Sequence, residues 1–135
     1  MKFIDPGFKG KNPGHYSTAV VSNGMLYVSG LLSMDPDTRE VCTGDIQGAC
    51  CAGPSQKSRP ECLKARGVSS AVKWFFCRIY TPVQRILGGP INAVYAKFFG
   101  EHKPGRVVVS TTPLHFGCLV EIECIADSKP MTDSN

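Results

Sequence analysis

The chain has 135 residues, a mass of 14.6 kDa and a formal charge of +4. That length holds one domain, residues 1–135, which buries roughly two thirds of its unfolded surface. With 42% hydrophobic and 19% charged residues the composition excludes a disordered chain, and no apolar run approaches the ~20 residues of a membrane helix.

The start, MKFIDPGFKG, has no apolar stretch before Pro6, so no secretory leader is expected. Residues 16–22 (YSTAVVS) and 25–30 (MLYVSG) are β-rich runs flanking Asn23-Gly24. Both turn residues tolerate positive φ, which predicts a hairpin. Met34 to Asp37 reads as a turn, and Arg39 to Thr43 as a short edge strand.

Residues 46–66 carry Gly48, Gly53, Pro54 and Pro60 and keep no apolar stripe. Only Pro60 to Arg66 fits two helical turns, stopped by Gly67. Residues 57–85 hold seven basic side chains and one acid, a local charge of +6, leaving −2 for the rest of the chain. Residues 72–80 (VKWFFCRIY) predict a buried strand.

The next element is a helix. Ile91, Val94, Tyr95, Phe98 and Phe99 recur at i, i+3, i+4, i+7 and i+8, with Pro90 at the first position and Gly100 past the end. Residues 106–111 and 118–126 predict two further strands joined by TPLHFG. In the last strand Cys118, Val120, Ile122, Cys124 and Ala126 share one face; Leu119, Glu121, Glu123 and Ile125 share the other. A polar tail occupies 127–135. The fold class is therefore α+β: a single sheet with one or two helices. Its second sheet face needs burial by another chain, which points to a homo-oligomer.

Seven cysteines with no CxxC pair, and three scattered histidines (His15, His102, His115), argue against a zinc module and a disulfide framework. A soluble, reducing compartment follows from that usage. Cys118 and Cys124 read as core thiols rather than nucleophiles.

Arg106 and Glu121 are the first chemical candidates. A hairpin centred on TPLHFG places Arg106 opposite or diagonal to Glu123 and Glu121 near Val108. Such residues form either a cross-strand ion pair on a solvated face, worth ~0.2–1 kcal/mol, or a guanidinium that grips a carboxylate beside a water-orienting acid. Tyr16, with Ser17 and Ser29, lies at a strand lip, where packing is the alternative role. Ser29-Gly30 ends a strand, and the glycine permits close approach. Asn92 lies in the first helical turn, where it either caps or faces a ligand.

Four segments in this order, GHYSTAVVSNGMLYVSG, INAVYAKFF, PGRVVVSTTPL and LVEIECIA, resemble the RidA/YjgF family of reactive-intermediate (enamine/imine) deaminases, also labelled L-PSP endoribonucleases. The match spans 12–46 and 77–126, and the family's spacing from the Arg of its PxR motif to the first Glu of EIE is the 15 residues between Arg106 and Glu121. The resemblance implies a chorismate-mutase-like, trimeric α+β barrel with clefts between subunits. It implies cofactor-free hydrolysis of 2-imino acids such as 2-iminobutanoate and 2-iminopropanoate to 2-keto acids and ammonia, with no metal; the reducing compartment expected from the cysteines is the cytoplasm. Arg106 would bind the substrate carboxylate and Glu121 would position water; Tyr16, Ser29, Gly30 and Asn92 would line the cleft. Val108 stands where the family often has Cys, so no thiol acts there, and His15 replaces a usual Pro. Alternatives from the same resemblance are cleavage of single-stranded RNA, which would need more cations than Arg106, and a non-catalytic ligand-binding or chaperone-like trimer.

Residues 47–76 depart from the family, which has a long amphipathic helix there. Loss of periodicity with a gain of basic residues between two good matches fits either a shifted reading frame or genuine divergence. Sequencing the transcript separates the two.

Overall fold

The computed structural model describes residues 1–4, 14–34, 40–41, 73–83 and 88–128. The short helix expected at 60–66, the departing segment up to Val72 and most of the expected 39–43 edge strand lie outside them. Of the latter, Val41 forms an isolated bridge with Met34.

Among the described residues, six strands form one mixed sheet in the order β1-β2-β3-β6-β4-β5. They are β1 (Lys2–Ile4), β2 (Ala19–Ser22), β3 (Met25–Leu32), β4 (Trp74–Thr81), β5 (Gly105–Ser110) and β6 (Glu121–Asp127), with helix α1 (Gly89–Phe99) between β4 and β5. The β2–β3 hairpin turns at Asn23 (φ 51°) and Gly24 (φ 76°), the positive angles expected of Asn-Gly. Strand β1 was not legible in the sequence, and β6 extends to Asp127, one residue into the expected tail.

The predicted β5–β6 hairpin is corrected by the topology. Strand β5 pairs parallel with β4, and β4 stands between β5 and β6. A helix joining two strands is a β-α-β crossover, which sets them parallel. Residues 111–120 then carry the chain past β4, through a 3₁₀ turn at His115–Gly117, to the gap beside β3. Arg106 therefore faces Cys77, not Glu123, and Val108 faces Ile79, not Glu121. Glu123 faces Arg78 instead, and Glu121 faces Tyr80.

Helix α1 begins with Pro90 in its first turn and stops where Gly100 takes φ 57°, its N–H donating to Ala96 O. Ile91 inserts from the helix among Ile79 and Val120, with Tyr95, Val108 and Ile122 packed around them. A second buried cluster, Ile4, Ala19, Leu26 and Ala126, lies on the same sheet face beneath β1–β3. Burying one such aliphatic side chain contributes about 1.5–3 kcal/mol. Strand β6 starts at Glu121 rather than at Cys118, but the expected alternation holds on both sides of that start: Cys118, Val120, Cys124 and Ala126 are buried and Ile122 packs half-buried on the core, while Leu119, Glu121, Glu123 and Ile125 are half-buried.

The other sheet face carries a row that crosses all six strands: Phe3, Val20, Tyr27, Ile125, Phe76 and Gly105. Phe3 is 67% and Tyr27 46% exposed. The Phe76 ring lies over Gly105, where an added Cβ would meet it at 2.6 Å.

Candidate functional site

Two groups of polar side chains stand out, on opposite faces of the sheet. On the helix face, Arg106 projects from the start of β5. Its Nη2 donates to Asn92 Oδ1 at 2.6 Å, and its guanidinium lies 4.8 Å from the centroid of the Tyr95 ring. Asn92 and Tyr95 are three residues apart, so one turn of α1 presents both to Arg106. Tyr95 was read from the sequence only as part of an apolar stripe. Its ring does pack in the core, yet one of its faces holds the guanidinium. Burial, above all, raises the Tyr95 phenol well beyond its ordinary pKa, and the nearby Cys77 adds to this. The phenol therefore stays neutral as a platform for the cation. Val108 lies two residues along β5 on the same face, in the apolar cluster.

Among the described residues Arg106 makes no ion pair, and it is exposed. One of five guanidinium N–H donors serves Asn92. The others can grip a carboxylate bidentately.

On the other face, Glu121 opens β6 and rests its carboxylate against the backbone of Gly30. The β3–β6 register slips between Val28 and Leu31, so Ser29 and Gly30 together oppose Glu123 as a bulge. A methyl at Gly30 would overlap Glu121 Oε1, so the glycine is what lets the carboxylate lie there. Ser29 Oγ donates to Ser17 O at 2.7 Å and Ser29 N–H donates to Thr18 O at 3.0 Å. Those bonds tie the bulge to the segment bearing Tyr16, a residue 55% exposed.

Beside Glu121 stands Tyr80, its phenol raised above the ordinary value by burial first and by Glu123 next. Arg78 Nη1 pairs with Glu123 Oε1 at 2.5 Å and its guanidinium lies 5.3 Å from the Phe76 ring centroid. The cross-strand ion pair considered for Arg106 is therefore made by Arg78, from the basic segment. Its side chains are 43% and 33% exposed, so solvent screening leaves it little stabilising weight.

Pleat parity decides which candidates meet. Arg106 shares its face with Cys77 and Cys124, and Glu121 lies three residues from Cys124 along β6. An odd offset reverses the face. Within one chain the structure joins Arg106, Asn92 and Val108 on one side, and Glu121, Gly30 and Ser29 on the other. Among the described residues no three His, Cys, Asp or Glu cluster as metal ligands would, and no helix is long and apolar enough to cross a membrane.

Solved structures share this architecture. A crystal structure of a Thermotoga maritima protein described as a candidate endoribonuclease superposes with a TM-score of 0.79 at 30% identity, covering 94% of this chain and 97% of that one. E. coli TdcF with bound serine gives 0.76 at 27% identity, covering 94% and 98%. The fold is thus the YjgF/Rid type, a mixed sheet packed by a helix.

A RutC family protein of Pyrococcus horikoshii is 33% identical over 115 residues, 84% of this chain and 86% of that protein. The human 2-iminobutanoate/2-iminopropanoate deaminase is 26% identical over 122 residues, 90% and 86% of the two chains. No protein-family model matches. The chain belongs to the RutC family, as the four sequence segments led one to expect.

Proposed function

We propose that the protein hydrolyses 2-imino acids to 2-keto acids and ammonia, in sites built between the subunits of a homotrimer. The observation that carries this reading is the Arg106 guanidinium, held by Asn92 and Tyr95 with donors to spare. It is matched to the planar carboxylate that every 2-imino acid presents. The mammalian relative's deaminase name and the serine bound to TdcF support a small carboxylate ligand.

Arg106 with Asn92 and Val108 forms one wall, and Glu121, Gly30, Ser29 and Tyr16 of the neighbouring chain form the other. A ring of three such contacts also covers the Phe3–Tyr27 row of the open sheet face. In the reaction, Arg106 fixes the carboxylate and so orients the adjacent imine carbon. Glu121 accepts a proton as water adds to that carbon. The proton passes to the imine nitrogen to give the carbinolamine, whose hydroxyl proton then moves to that nitrogen as the C–N bond breaks, releasing ammonia and leaving the keto group. Imines hydrolyse in water unaided, so positioning and charge complementarity supply the acceleration. Tyr80 beside Glu121 and Glu123 is a neutral donor within the same wall.

The test is release of 2-ketobutyrate from freshly generated 2-iminobutanoate by purified protein whose solution mass is measured by light scattering. Turnover by a species near three times the chain mass is expected. A monomer, or a trimer that leaves the spontaneous rate unchanged, overturns the reading. The endoribonuclease description of the Thermotoga structure motivates a parallel arm with single-stranded RNA, for which no cleavage is expected.

A further inference from the structure

Cys77 and Cys124 are directly opposed across the antiparallel β4–β6 ladder, and their sulfurs lie 3.3 Å apart. Directly opposed residues bring their Cβ atoms to about 4.5–5.5 Å, close to the ~3.5–4.5 Å that a disulfide spans. Closing the bond to ~2.05 Å asks the sulfurs to approach by roughly 1.3 Å, a side-chain adjustment rather than a backbone one. Cys118, the third buried thiol, contacts the Ser33 carbonyl instead and is not in this pair.

The pair also lies directly beneath the Arg106 platform. Cys77 is the ladder partner of Arg106 on the sheet face that α1 covers. The Tyr95 phenol reaches the Cys77 thiol, without a well-formed hydrogen bond among the described residues. Tyr95 thus touches both groups, its ring the guanidinium and its hydroxyl the thiol.

We propose that Cys77 and Cys124 form a reversible cross-strand disulfide under the Arg106–Tyr95 stack, with hydrogen peroxide as the oxidant. Cys77 is the sulfur on the Tyr95 and Arg106 side of the pair, so outward motion of Tyr95 uncovers it first and makes it the attacking sulfur. The Cys77 thiolate attacks one peroxide oxygen and the O–O bond breaks, giving a sulfenic acid and, after protonation, water. The Cys124 thiol then displaces that hydroxyl, its proton leaving with it as a second water. Two electrons pass from the sulfurs to the peroxide. Both thiols are 1% and 4% exposed, so reaction waits on outward motion of Tyr95 and is slow. The bond shifts the Cys77 sulfur toward Cys124 from the position the phenol now reaches, loosening the ring that carries Arg106. Weaker carboxylate binding on oxidation follows, a consequence that rests on the reading of Arg106 given above.

The native full-length protein is treated with hydrogen peroxide, alkylated, and mapped without reduction. A linked Cys77–Cys124 peptide about 2 Da lighter than the two reduced peptides is expected, restored to alkylatable thiols by dithiothreitol. Affinity for 2-ketobutyrate, titrated before and after, should fall about two- to fivefold, the size of a lost cation–π contact, and recover on reduction. Cys124→Ala should make that affinity insensitive to peroxide. Oxidation confined to other cysteines overturns the disulfide, and a linked peptide with unchanged affinity overturns the coupling. Wild-type affinity in Arg106→Ala would instead refute the carboxylate clamp and leave the disulfide result standing.

Discussion

Arg106 and Glu121 stand on opposite faces of one sheet, with β4 between their strands. No rotamer of either brings both to one small ligand through that sheet. A site needing both must take Arg106 from one chain and Glu121 from its neighbour.

Subunit mixing tests that relationship. At substrate concentrations well below the raised KM, Arg106→Ala and Glu121→Gln proteins should each turn over only a small fraction of the wild-type rate. After unfolding and refolding together in equal amounts, each interface has about one chance in four of receiving both native residues in a head-to-tail ring. Activity near a quarter of wild type is expected, assayed as 2-ketobutyrate release. If the mixture stays as slow as its parents, the two residues do not serve one shared site.

The two residues should also fail differently. In the proposed reaction Arg106 would bind a group present in ground and transition states alike, and a charged hydrogen bond contributes roughly 1.5–3 kcal/mol, or about 10–150-fold. Arg106→Ala should raise KM by that factor, and Arg106→Lys should recover little, lacking the planar fork. Glu121 is proposed to act on water as it attacks, so Glu121→Gln should lower kcat while 2-ketobutyrate still binds. Steady-state kinetics with calorimetric titration of both variants distinguishes these outcomes from a shared loss of stability.

Tyr95 and Asn92 should act through Arg106. Tyr95→Phe keeps the ring and is expected to leave KM near wild type. Tyr95→Leu removes the platform and should raise KM about two- to fivefold with kcat little changed. Asn92→Ala frees the guanidinium from its hydrogen bond to the helix and should raise KM similarly. Combining either change with Arg106→Ala should add nothing further to KM, since there is no guanidinium left to hold. Additive effects would mean that these residues contact the ligand themselves.

Much of this was legible in the sequence because the physics is local. Asn23-Gly24 can turn only as a hairpin, and the Ile91–Phe99 spacing suits only a helix. The alternation from Cys118 to Ala126 fixed the buried face of β6. The strand order was not legible, because TPLHFG resembles a hairpin linker locally, while the β4-α1-β5 crossover places β4 in the gap. That displacement hid three features at once: the Arg78–Glu123 pair, the Cys77–Cys124 contact and the separation of Arg106 from Glu121. Tyr95 was hidden for another reason. Its spacing marks it as core, and only the three-residue offset from Asn92 hinted at a second role.

Gly30→Ala offers the most selective probe of the Glu121 wall. An added Cβ would overlap Glu121 Oε1 and lie 3.1 Å from its Cδ. The atom in the way is the far end of a flexible side chain, so Glu121 can swing aside at little cost. Gly30 is not among the positive-φ glycines, so alanine suits its backbone and loses less entropy on folding. Thermal stability should therefore stay within about 1 kcal/mol of wild type. The carboxylate, however, must leave the position from which it is proposed to hold water. A displacement on the order of 1 Å in a positioned catalytic group costs up to about 100-fold in rate, so kcat should fall roughly 10- to 100-fold while 2-ketobutyrate affinity holds. Adding Glu121→Gln to Gly30→Ala should lower kcat no further than Glu121→Gln alone, because both changes remove the same function. Normal kcat in a folded Gly30→Ala trimer would mean that Glu121 does not need its seat against the bulge, and the role given to this carboxylate would fall.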